Sequence, residues 1–81
     1  MKRARKIGIA VVDDAPFIRE VVRHIAEQNE NLDFIGEAED GVQAIELAKA
    51  YDIDVIIMDI VMPQKNGIEA TSEILEIKPK T

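Results

Sequence analysis

At 81 residues the chain is long enough for one domain but short for an α/β one, which typically runs to about 100 to 150 residues. It has no cysteine, which excludes disulfide, thiolate-metal and thiol redox chemistry and fits a reducing, cytoplasmic setting. A net charge of -6, from 16 acidic against 10 basic residues, argues against general nucleic-acid binding, and no apolar run approaches the roughly 20 residues of a membrane span.

Met1-Lys2-Arg3-Ala4-Arg5-Lys6 is basic like the start of a signal peptide, but the apolar run behind it is only about six residues long and ends in two aspartates. It reads as a solvated lead into the first strand. Residues 7–12, Ile-Gly-Ile-Ala-Val-Val, are almost wholly apolar and β-branched, the pattern of a strand buried on both faces. Asp14 is placed to cap the helix that follows, and Pro16 falls in its first turn, where a missing N–H costs nothing. Phe17, Ile18, Val21, Val22 and Ile25 recur at helical spacing, with Arg19, Glu20, Arg23 and Glu27 opposite, and the helix ends near residues 29–31. His24, at the border of the apolar side, reads as structural.

The run from Leu32 to Ala38 is a second strand, less apolar than the first and so nearer a sheet edge. Asp40-Gly41 opens a second helix whose apolar side carries Val42, Ile45, Leu47 and Ala48. A third strand is expected over 55–60 and a loop from Met62 to Gly67. A third helix follows from Ile68 to Ile77, with Ile68, Thr71, Ile74 and Leu75 on one side, stopped by Pro79. Alternation β-α-β-α-β-α implies right-handed crossovers into a parallel α/β sheet.

Both apolar strands end in acid: Asp13 and Asp14 after the first, Asp59 at the end of the third. An unpaired carboxylate in apolar surroundings costs several kcal/mol, so such groups are paired, protonated or bound to a metal. If the two strands are neighbours, three carboxylates meet at their C-terminal ends, where open α/β sheets bind ligands. Such a cluster suits a hard, oxygen-preferring cation such as Mg²⁺, held by Asp13 and Asp14. With phosphoryl transfer, Asp59, fixed at a strand end, is the candidate nucleophile.

These residues resemble the receiver domain of two-component response regulators, most nearly the chemotaxis type. The resemblance rests on Val12-Asp13-Asp14, Ala15-Pro16-Phe17-Ile18-Arg19, Asp40-Gly41, Asp59, Met62-Pro63 and Asn66-Gly67. It implies a partial flavodoxin-like sheet of strand order 2-1-3. It also implies phosphorylation of Asp59 by a histidine kinase or small phosphodonor, and Mg²⁺ held by Asp13, Asp14, Asp59 and the Val61 backbone carbonyl. A receiver so built is a phosphoacceptor, not a dedicated enzyme.

The resemblance covers residues 1–81 as the first three β-α units of a five-unit fold. In the family a hydroxyl residue ending strand four and a lysine ending strand five contact the phosphoryl group, and both would lie beyond position 81. Weak Mg²⁺ binding and slow or absent phosphorylation are therefore expected. Strand three, with a neighbour on one side only, is expected to pair with another chain, giving a homodimer through that strand or by exchange of elements. The alternative function is a receiver-derived, self-assembling structural fragment, natural or engineered. A phosphatase of the haloacid-dehalogenase type fits less well, because that family places an acid two residues after its nucleophile and Val61 stands there.

Overall fold

The computed structural model describes residues 6–59 and 66–81. Along the chain it has β1 (Ile7–Val12), α1 (Pro16–Glu27), β2 (Leu32–Ala38), α2 (Gly41–Ala50), β3 (Val55–Met58) and α3 (Gly67–Ile77). The three strands form one parallel sheet in the order β2-β1-β3, as expected. Central β1 has Ala10, Val11 and Val12 fully buried, which explains its continuous apolar run.

Side-chain alternation divides the core between two faces. Val12, Ala38, Ala44, Ile45, Ala48 and Ile74 form one cluster, with Ile56 and Met58 of β3 packed against it, so α2 and α3 cover this face together. α1 packs on β1 and β2, and Ala26 is its one fully covered side chain among the described residues. Gly36 keeps β2 close to α2, since a Cβ there would stand 2.9 Å from Leu47 Cδ1.

Several boundaries differ from those expected. α1 ends at Glu27, because Asn29 turns the chain: its carbonyl accepts from the Leu32 N–H and its side chain from the Asn31 N–H. Asp14 does not cap α1; Ala15 is the N-cap residue and no side chain caps this end, Pro16 at N1 having no N–H to satisfy. β3 stops at Met58, and Ile60, taken as its last residue, lies outside the described residues.

The buried stripes are also rotated from those read off the large apolar residues. In α3 the covered positions are Gly67, Ala70 and Ile74, whereas Ile68 is 67% and Leu75 43% exposed. In α2, Val42 is exposed while Ala44 is fully buried. The cause is close approach. α2 and α3 pack against each other through small side chains, a contact that hydrophobicity alone does not rank.

Both α2 and α3 begin with a side-chain cap. Asp40 accepts from the Gln43 N–H at 2.8 Å, and the Gln43 amide reaches back to Glu39. Asn66 accepts from the Glu69 N–H at 2.9 Å, with Glu69 adding acid to the first turn. Ile74, 2% exposed, is the α3 side chain that joins both helices to the sheet. Urea denaturation of Ile74→Ala is expected to show a loss of about 2 to 4 kcal/mol, and that of Ile68→Ala a change within about 0.5 kcal/mol.

Candidate functional site

The register of the two apolar strands decides where their acids lie. β1 pairs with β3 so that Ile9 faces Val55 and Val12 faces Met58. The next residues, Asp13 and Asp59, then leave the sheet side by side, with the Asp59 N–H donating to the Val12 carbonyl at 2.9 Å. On the other side, the Asp13 N–H donates to the Ala38 carbonyl at 3.1 Å. Both acids are thus placed by ladder hydrogen bonds rather than by a free loop.

Asp54, at the opposite end of β3, gives a contrast within one strand. Its carboxylate accepts from the Gly8 N–H at 2.6 Å and its own N–H donates to the Gly8 carbonyl at 2.8 Å, so it extends the ladder and has a structural role. Gly8 suits this fit, because a Cβ would crowd the backbone carbonyl of Asp52 at 3.1 Å and the Ile35 side chain at 3.2 Å.

At the C-terminal ends, Asp13, Asp14 and Asp59 each bring a carboxylate oxygen within 4.8 Å of the others. Asp13 and Asp59 are half-buried and Asp14 is exposed. Like charges at this spacing repel, and a divalent cation relieves the repulsion. The donor set is all carboxylate oxygen, which fits a hard cation and not a soft one. Val61, Met62 and Pro63, taken from the sequence as carbonyl ligand and loop, lie outside the described residues.

Asp13 also shapes the β1–α1 turn, since its Oδ1 accepts from the Ala15 N–H at 2.9 Å, the turn that Asp and Asn make with a backbone N–H two residues on. Asp14, relieved of capping, projects from the turn into solvent beside the other two acids. Thr71 is not part of the cluster: its hydroxyl donates to the Gly67 carbonyl at 2.7 Å.

One residue beside the site was read as part of the polar side of α1 and of the run that opens it, with no role assigned to its side chain. Arg19 donates through Nη1 to the Asp13 carbonyl at 2.7 Å and through Nε to Glu37 Oε1 of β2 at 2.8 Å. Arg23 approaches the other Glu37 oxygen at 3.6 Å. The signal in the sequence was an arginine about one turn into a helix that follows two acids. Only the β1–β2 register, which puts Glu37 next to Val11, reveals its partner.

The chain is similar to proteins of known family over most of its length. CheY, a chemotaxis protein of Halobacterium salinarum, is 52% identical over 68 residues, covering 84% of this chain and 55% of that one. The transcriptional regulatory protein DegU of Brevibacillus brevis is 40% identical over 74 residues, covering 91% of this chain and 31% of that one. The response regulator domain of Thermotoga maritima CheB superposes with a TM-score of 0.90 at 42% identity, covering 94% of this chain and 57% of that one. The chain therefore spans about half the length of the chemotaxis relatives it matches. The model of the response regulator receiver domain matches residues 9–81, and the chain belongs to that family, the receiver domains of two-component response regulators.

Proposed function

We propose that the chain carries the phosphoacceptor half of a receiver site, with Asp59 as the nucleophile and Asp13 and Asp14 as its cation-binding partners. The observation that carries this reading is the convergence of the three carboxylates within 4.8 Å at adjacent strand ends. In the reaction a carboxylate oxygen of Asp59 attacks the phosphorus of a histidine kinase's phosphohistidine or of a small phosphodonor. The bond from phosphorus to the donor breaks, the donor leaves with the electron pair, and an aspartyl phosphate remains. A bound Mg²⁺ would supply neutralisation of the charge on the phosphoryl oxygens. Asp13 and Asp14, with Asp59 and the Val61 carbonyl, would hold it.

The chain's own residues prepare this step by orientation. The Asp59 N–H is fixed on Val12 and the Asp13 N–H on Ala38, so neither acid has to be ordered when the donor arrives. The family's hydroxyl and lysine contacts to the phosphoryl group lie outside the three β-α units of residues 1–81. Its setting is the cytoplasm, and it acts as a signalling module rather than as a dedicated enzyme. Among the described residues no helix is long and apolar enough to cross a membrane.

A second reading concerns assembly and is favoured by the open side of β3. Among the described residues β3 pairs with β1 alone, Val55 and Ile57 are each 45% exposed on one face, and on the other Met58 borders a groove with Gly67, Ile68 and Thr71. We propose that a second copy covers this side, as a homodimer through β3 or by exchange of elements. In an antiparallel pairing centred between Ile56 and Ile57, Asp54 of each copy would face Asp59 of the other. Like charges so opposed are destabilising, and added salt screens them.

Three outcomes are expected. Intact mass after incubation with Mg²⁺ and a phosphoramidate-type donor gains one phosphoryl group, and Asp59→Asn does not; no gain in a folded wild type would overturn the phosphoacceptor reading. Without divalent cation, Asp59→Asn melts at a higher temperature than the wild type, because one of three mutually repelling charges is gone; in excess Mg²⁺ the wild type is stabilised and the variant much less so. Sedimentation velocity at micromolar concentration gives a dimer that strengthens with added salt and that Ile57→Lys converts to monomer; a monomeric wild type would sink the assembly.

A further inference from the structure

Arg19 is buried to an unusual degree for a helix-surface arginine, its side chain being 15% exposed, and its hydrogen bonds join three elements. Nε and Nη1 point to different acceptors, the Glu37 carboxylate on β2 and the backbone carbonyl of Asp13 at the end of β1. Asp13 is thereby held at three atoms. Its N–H is bonded to Ala38, its carbonyl to Arg19, and its Oδ1 to the Ala15 N–H.

We propose that Arg19 is a positioning residue for the acid cluster, anchored by Glu37 and acting on Asp13 through its carbonyl. The inference rests on the phosphoacceptor reading and adds to it the device that fixes its cation-binding edge. The carbonyl bond sets the peptide plane between Asp13 and Asp14, and that plane determines where both carboxylates lie relative to Asp59. Charge is managed in the same arrangement. A lone guanidinium next to the cluster would repel a divalent cation, and the Glu37 carboxylate, 2.8 Å from Nε and shared with Arg23 at 3.6 Å, offsets part of that charge.

A lysine cannot replace this function. It carries the charge, but as a single point on a flexible stem, without the planar fork that reaches two acceptors at fixed angles. Arg19→Lys is therefore expected to weaken Mg²⁺ binding by about tenfold, the low end of what loss of a group supporting a metal ligand costs. In the absence of metal, Arg19→Lys should also speed hydrogen exchange at the Ala15 N–H, whose acceptor is the Asp13 side chain. Neither change follows from lowered stability alone, and Ile45→Val, a core substitution on the opposite face, supplies the comparison. It should lower the melting temperature and leave both readouts as in the wild type.

The experiment is isothermal titration with Mg²⁺ on the 81-residue chain, with exchange at Ala15 measured by NMR, for the wild type, Arg19→Lys, Ile45→Val and Asp59→Asn. Weaker binding and faster exchange in Arg19→Lys alone of the first three is the expected result. Wild-type affinity and exchange in Arg19→Lys, with binding still lost in Asp59→Asn, would overturn the positioning role and leave the phosphoacceptor reading intact. No Mg²⁺ binding by the wild type would overturn both. If Arg19→Lys does not fold, Glu37→Gln, which removes the anchor and keeps Arg19, is read in the same two ways.

Discussion

The parallel pairing of β1 with β3 is the constraint on which the site depends. A shift of one residue would move Asp59 away from Asp13 and would also turn Ile56 and Met58 out of the α2 and α3 core, exchanging them for Val55 and Ile57. The hydrophobic pattern therefore protects the register, and the register places the acids. Asp54 closes the ladder at its other end by accepting from the Gly8 N–H, so the same short strand is flanked by an aspartate that extends the ladder and one that joins the acid cluster. What separates them is which end of a parallel sheet each occupies, since the C-terminal ends carry the turns that open toward ligands.

The two faces of the sheet are unequally built. On the α2 and α3 face, small side chains at Ala44, Ala48 and Ala70 allow helices and sheet to come close, and the core there is continuous. On the α1 face, the helix covers β1 and β2 but leaves Phe17 71% exposed and the β3 side chains Val55 and Ile57 half open. An apolar surface of this extent beside a strand edge is the kind that another segment or copy covers. The acid cluster sits at the end of the well-packed strands, which is where rigid placement of charge is cheapest to maintain.

Electrostatics in this protein follow position more than number. The net charge of -6 is spread over the molecule, yet only Asp13, Asp14 and Asp59 are brought, among the described residues, to a spacing suited to one cation. Arg19, Arg23 and Glu37 form a separate group at the margin of that cluster, two guanidinium groups sharing one carboxylate. It ties the β1–α1 turn to β2.

The sequence by itself determined the order and type of the six elements, the strand that would be central, the opening of α2 at Asp40-Gly41, and the three acids that end β1 and β3. Those features depend on periodicities and cap chemistry within a few residues of chain, which a reader of the sequence can inspect directly. Tertiary structure decided the rest. It released Asp14 from capping, since Pro16 and Ala15 open α1 without a side-chain acceptor. It buried Ala70 rather than Ile68, because close helix packing selects small residues over large ones. It joined Arg19 to Glu37, 18 residues apart, through a strand register that no local pattern encodes. Distances between elements are set by packing, and packing is a property of the whole chain.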